Sequence, residues 1–224
     1  ENSAKEAASI CGKNALGIQC DLTNPEKVLN TFRYIVEKFG GLDILISNAG
    51  AAWSGRISEL KDSILDESIR LNLLAHQFVA KEAVRVFKSQ DLVTSEGNKM
   101  GGQLLFNISK QAVNPGNNFG AYGIAKAGLM SLMKQYALEE GKFSIRSNGI
   151  NADRIRSGIL DEEMIEKRAE ARGISKSKYM SGNLLNLEVR AEDVAKAFVS
   201  LSLMERTTGN ILTVDGGNVA AMLR

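Results

Sequence analysis

The chain has 224 residues, 44% of them hydrophobic, and only two cysteines: enough apolar surface for one substantial core, and too little sulfur for a disulfide framework. Its 28 basic and 26 acidic side chains leave a formal charge of +2 and are spread along the chain, so no polybasic stripe marks a nucleic-acid or membrane surface. No apolar run reaches the length of a membrane span and no signal-like N-terminus is present, which predicts a cytoplasmic protein. A single histidine, His76, and the scattered Cys11 and Cys20 predict no metal site, and His76 reads as a helix-packing or interface residue.

Residues 1 to 12 carry alanines and no breaker before Gly12, so they read as the last turns of a helix. Ala15 to Cys20 is a short apolar stretch and is predicted as a strand. Asp21 to Glu26 then supplies a helix entry, with capping side chains and Pro25 in the first turn, and Gly40 and Gly41 stop that helix after Lys38. Leu42 to Ser47 is a compact apolar strand that ends in Asn48-Ala49-Gly50.

A long periodic segment from Asp62 to about Lys88 predicts a helix containing Asn72 and His76, and its length suits packing between subunits. Asp91 to Gly101 is polar and reads as a surface loop. Gly102 to Ile108 is the next strand, followed by Ser109, and a Gly/Asn-rich loop with Pro115 leads to Tyr122. The helix beginning there runs to Gly141, and Phe143 to Ile150 forms another strand. Leu160 to Leu187 is a charged, broken helical insertion of the kind that covers a site. A short helix capped near Arg190 or Ala191 and a last strand, Asn210 to Val214, complete the alternation. Strand and helix in repeated succession predict a parallel sheet covered on both faces, in one domain with residues 158–187 as a helical lid.

Tyr122 and Lys126 lie four apart and therefore share one face of a helix, where a phenol and an ammonium can meet at one pocket wall. A nearby cation favours the phenolate, so the pair is a candidate proton-transfer device. Spacing alone does not single it out, because Tyr34 and Lys38 repeat it. That second pair sits in an amphipathic run with no apolar strand ending in serine ahead of it, and reads as structural.

Several marks fall in one order: Asp21 after a strand, Asn48-Ala49-Gly50 after the next, Asn72 in a long helix, Ser109 after a strand, Tyr122 thirteen residues later, Lys126, and the terminal Val214-Asp215-Gly216-Gly217. In this order the chain resembles the short-chain dehydrogenase/reductase family over nearly its whole length. The resemblance implies a Rossmann-type α/β fold with a doubly wound parallel sheet. It also implies an NAD cofactor, with NADP left open, and a small hydroxyl or carbonyl substrate. Tyr122 would carry the proton, Lys126 would lower the Tyr122 pKa and hold the nicotinamide ribose, and Ser109 would hydrogen-bond the substrate oxygen. Asn72 would anchor a water of the proton relay, and a helix-kinking polar residue is the alternative for it. Asp21 and Leu22 match the adenine-contacting pair, although Asp21 could equally cap a turn. Asn48, Ala49 and Gly50 would be cofactor-binding positions, the glycine letting the backbone approach a ligand closely, although a simple turn would use the same residue, and Ile155 and Ser157 match contacts of the nicotinamide carboxamide. Where the family places Pro-Gly after its sixth strand, this chain has Ala152 and Asp153.

More narrowly, residues 52–56, 106–116, 151–158 and 217–224 resemble the dehydrogenase half of bifunctional rhamnulose-phosphate aldolase/lactaldehyde dehydrogenases. That resemblance implies lactaldehyde as substrate and a fused aldolase. The family's first two strands and the Gly-rich turn between strand and helix do not precede Glu1, which predicts further N-terminal residues. A homodimer or homotetramer is the assembly that the family implies. A sugar-alcohol dehydrogenase and a non-catalytic assembly domain are the competing functions. Arg168 and Arg172 raise the idea of an anionic ligand, but a helix rich in both signs reads first as a solvated lid.

Overall fold

The structure, a computed structural model, describes residues 2–218 apart from 92, 96 and 97. Helix α1 (Asn2–Cys11) ends at Gly12, whose φ of 108° needs a residue without Cβ. Helix α2 (Pro25–Phe39) begins as its sequence dictates: Asn24 accepts hydrogen bonds from the Glu26 and Lys27 amides at 3.0 and 3.1 Å, and Pro25 takes the position whose N–H has no partner to lose. Gly40 in the left-handed conformation closes it.

Strand β1 (Ile44–Ser47) follows, then one continuous rod made of α3 (Asp62–Ile69), a π turn at Arg70–Leu74 and α4 (Ala75–Ser89). A short antiparallel hairpin, β2 (Val93–Ser95) with β3 (Asn98–Met100), stands where a plain surface loop was predicted. Strand β4 (Gln103–Asn107) leads through the loop at Ser109 into α5 (Gly120–Glu140), and β5 (Arg146–Ala152) follows. The insertion contains α6 (Glu162–Glu170) and α7 (Lys176–Met180), and α8 (Ala191–Leu203) and β6 (Ile211–Val214) end the described fold.

The main sheet is parallel throughout, in the order β1-β4-β5-β6. Alternation along β4 divides the core. Leu104 and Phe106 face Val79, Ala83 and Phe87 of α4 and Leu129 and Met133 of α5, whereas Leu105 faces Phe198 and Leu201 of α8. The sheet is thus covered on both faces, as the unbroken apolar run of β4 requires. Leu160, Ile165, Ala169, Tyr179 and Met180 form a third, separate cluster within the insertion.

Two further elements differ from expectation. Ala15 to Cys20 forms no strand. An extended segment becomes a strand only when a neighbour completes its ladder, and among the described residues β1 pairs with β4 alone. The outer edge of β1 accordingly leaves Ile44 and Ile46 41% and 50% exposed. The strand predicted from Phe143 begins instead at Arg146, because Gly141–Phe143 forms a 3₁₀ turn that Ser144 closes in the left-handed conformation.

Candidate active site

The C-terminal ends of parallel strands are where doubly wound folds place ligands. Here the ends of β4 and β5 and the first turn of α5 meet at a cavity of about 690 Å³. Asn107, Ser109, Tyr122, Ile155 and Ser157 line it. Tyr122 reaches it because α5 starts two residues earlier, at Gly120, and presents the phenol from its first turn.

Lys126 lies behind that wall, 2% exposed, one turn further along α5. Its ammonium donates to the Asn107 carbonyl at 2.9 Å and sits 5.6 Å from the centre of the Tyr122 ring. Burial pushes the Lys126 pKa down to about 7. Burial also raises the Tyr122 phenol above its ordinary value, with the Ser109 hydroxyl acting in the opposite sense. The lowering of the Tyr122 pKa that the resemblance implies is not seen in this structure, where burial outweighs the Ser109 hydroxyl.

Asn72 is fully buried in the π turn and is stitched to the loop after β1. Its amide donates to the Ala51 carbonyl at 2.9 Å and its carbonyl accepts from the Ala51 N–H at 3.2 Å. Gly50 fits under it, since a Cβ there would lie 2.8 Å from Asn72 Oδ1 and 3.8 Å from Lys126 Nζ. Asn48 accepts a 2.6 Å hydrogen bond from the Asn107 amide, so the Asn48-Ala49-Gly50 segment, Asn72 and Lys126 form one hydrogen-bonded support behind the cavity without lining it. His76 joins that support from α4, with Nδ1 2.7 Å from the Ser47 hydroxyl; burial, then the nearby Lys126 charge, holds its pKa down at about 3. It is the packing residue that the sequence suggested.

Asp21 and Leu22 are not brought to this cavity. Asp21 accepts from the Thr23 amide and hydroxyl at 3.0 and 2.7 Å, the turn role given as its alternative, and Leu22 packs on the larger core. At the Ala152-Asp153 departure the turn is made by Arg154, at φ 53°, with Asp153 accepting from Asn218 at 2.6 Å and pairing with Arg154 at 3.3 Å. The terminal glycines serve the insertion: the carbonyls of Gly216 and Gly217 accept from the amides of Leu185 and Leu184. The quoted residues 219–224 lie outside the described residues.

Sequence reasoning missed Asn107, Phe119, Arg154 and Tyr179. Asn107 had no signal beyond its place two residues before Ser109, and the other three become neighbours only through the insertion's fold. Among the described residues there is no group of three or more His, Cys, Asp or Glu side chains able to hold a metal, and no helix long and apolar enough to cross a membrane.

A hydroxyl and a phenol that share a cavity wall, backed by a buried amine, can hydrogen-bond one ligand oxygen and exchange a proton with it. Such a wall at the strand ends of a parallel sheet defines a Rossmann-type enzyme class. A family model described as enoyl-(acyl carrier protein) reductase matches residues 1–218, and the chain belongs to the short-chain dehydrogenase/reductase family of NAD(P)-dependent oxidoreductases. It is 34% identical to the uncharacterized oxidoreductase YuxG of Bacillus subtilis over 232 aligned positions, covering 99% of this chain and 32% of that protein, so the chain spans about a third of that relative's length. Among solved structures, ElxO with NADP bound has a TM-score of 0.76 at 25% identity, covering 91% of this chain and 77% of the other. Sorbitol-6-phosphate 2-dehydrogenase SrlD from Erwinia amylovora has a TM-score of 0.84 over 100% of this chain and 86% of its own; at 21% identity it shares the fold.

Proposed function

We propose that the chain is the catalytic domain of an NAD(P)-dependent dehydrogenase/reductase that interconverts a small hydroxyl compound and its carbonyl, with Tyr122 as the proton carrier. The observation that carries this reading is the convergence of Ser109 and Tyr122 on one cavity wall with Lys126 buried behind it.

The donors present fit a nicotinamide nucleotide. Lys126 spends one N–H on Asn107 and keeps further donors for ribose hydroxyls, Ile155 and Ser157 line the cavity at the end of β5, and Gly50 leaves backbone space beside Asn72. When bound, that cofactor accepts or supplies the hydride. In the oxidative direction Tyr122 first releases its phenolic proton to solvent and then, as phenolate, takes the proton of the substrate hydroxyl. In the reductive direction its phenol, kept protonated by burial, donates one. Ser109 hydrogen-bonds the same oxygen as its charge changes. Burial brings the Lys126 pKa down to about 7, so this amine behind the tyrosine can hold or release a proton near neutral pH. Asn72 holds the loop after β1 against this group.

The finer reading is oxidation of lactaldehyde in deoxysugar catabolism, supported by the likeness of residues 106–116 and 151–158 to the bifunctional enzymes. With it go a fused aldolase, a cytoplasmic location, homodimeric or homotetrameric assembly, and a lid formed by residues 158–187. The lid is supported by Met164, Lys167 and Arg168 of α6, which line the cavity. Calorimetry with NAD and NADP, followed by nicotinamide absorbance with lactaldehyde, sugar alcohols and ketoacyl compounds, tests the proposal. Binding of one nucleotide and turnover of a hydroxyl compound are expected. Absence of any nucleotide binding by the full-length protein would support an assembly role instead.

A further inference from the structure

The cavity that Ser109 and Tyr122 line is rich in cations. Lys110, Arg154, Lys167, Arg168 and Arg172 line the cavity, against the single carboxylate of Asp153. Two of these cations are already matched: Arg154 pairs with Asp153 at 3.3 Å and Lys167 with Glu163 at 2.5 Å. Arg168 is different. Its guanidinium lies 3.9 Å from the centre of the Phe119 ring and donates to the Tyr179 hydroxyl at 3.2 Å, two contacts that orient the group and leave its charge unbalanced. Among the described residues no carboxylate lies within ion-pair distance of Arg168 or of Arg172. Arg172, one turn on, donates to the Arg168 carbonyl at 2.9 Å and lies 5.3 Å from the Tyr179 ring centre.

Position makes the unmatched charge informative. Phe119 is the residue before α5 and stands three ahead of Tyr122, on the same side of the helix start. Arg168, stacked on that ring, is thereby held in the same cavity as Tyr122. A half-buried guanidinium fixed in plane and lacking a counter-ion is a fork ready for a two-oxygen anion. The amides of Gln111, Asn117 and Asn118, in the same cavity, suit hydroxyl groups between the two ends.

We propose that the substrate carries an anionic group, a carboxylate or a phosphate, and that Arg168 is the residue that binds it, with Arg172 in support. The inference rests on the dehydrogenase reading and gives its substrate class: a hydroxy acid or a phosphorylated hydroxyl compound is preferred over a neutral one such as lactaldehyde.

The test has two readouts on the full-length protein loaded with NAD. Lactate, glycerol phosphate and a neutral diol are compared as substrates of wild type, Arg168→Met and Arg168→Lys. One of the two anions is expected to show the lowest KM, and which one it is separates carboxylate from phosphate. Arg168→Met is expected to lower the preference for that anion over the diol roughly 10- to 100-fold, with partial recovery in Arg168→Lys and no rise in the KM for NAD. Independently of turnover, calorimetry with lactate and inorganic phosphate should give binding to wild type that weakens by a similar factor in Arg168→Met. Preference for the neutral diol in wild type, an unchanged preference in Arg168→Met, or a raised NAD KM without a change in preference would overturn the inference. If the dehydrogenase reading itself fails, no compound is turned over, and the calorimetric arm still decides whether Arg168 binds an anion.

Discussion

The two walls of the cavity treat positive charge in opposite ways. On the α5 wall, Lys126 is sealed from solvent, and its ammonium is destabilised until its pKa falls to about 7. On the wall built by the insertion, Lys167 and Arg172 are exposed and Arg168 is half-buried beside an aromatic ring and a hydroxyl. Guanidinium groups do not deprotonate in proteins, so that wall keeps its charge at every physiological pH. Dry surroundings turn a cation into a group that can change its protonation state, whereas wet surroundings leave it a fixed attractor for anions. One cavity uses both.

Removing the dry cation has the largest expected effect. Lys126→Met should lower kcat roughly 100-fold, because the tyrosine site loses the amine buried behind it, with far-UV circular dichroism unchanged. The same variant should be the more stable protein near neutral pH. Between pH 7 and 10.5 the unfolded chain binds the Lys126 proton and the folded chain does not, so wild type gains stability as pH rises through that window and bears the full cost of a buried ammonium below it. In urea melts, the difference between variant and wild type should shift by about 2–3 kcal/mol in favour of wild type from pH 7 to pH 9, at ~1.4 kcal/mol per pH unit. A pH-independent difference would show that Lys126 keeps its ordinary pKa.

Next in size is the support behind the dry wall. Asn72→Ala strips both hydrogen bonds from Ala51 and should cost about 1–3 kcal/mol in denaturant melts, together with a fall in kcat as the loop after β1 loosens. Unchanged stability would mean that water replaces the amide and that the π turn has another cause. The smallest effect belongs to the wet wall. Lys167 and Glu163 form an exposed i,i+4 pair, so Lys167→Ala should leave the Tm unchanged within error. A measurable fall in Tm would assign Lys167 to a network that its exposure does not suggest.

The two walls were also unequally legible in the sequence. Tyr122, Lys126 and Ser109 could be read because a strand, a short loop and a helix fix their geometry locally, and the Tyr34–Lys38 pair failed the same test for want of the strand. The helix ends at Gly12, Asn24-Pro25 and Gly40 were legible for the same reason: each is set by residues within one turn. Ala15 to Cys20 was misread because a strand is a property of two segments, and apolar patterning in one says nothing of its partner. Asn72, within the π turn, is hydrogen-bonded to Ala51, 21 residues away, a contact that helical periodicity passes over. The insertion's cations read as an ordinary solvated face, and only folding sets Arg168 on the Phe119 ring and against the Tyr179 hydroxyl.

The most direct test of the central claim is the initial rate of nicotinamide reduction by Tyr122→Phe, after calorimetry has shown that variant and wild type bind the nucleotide equally. Loss of the phenolic hydroxyl should lower kcat about 10²- to 10⁴-fold, the range for removal of a general acid–base group, with nucleotide affinity retained. Turnover equal to wild type would contradict the assignment of Tyr122 as the proton carrier.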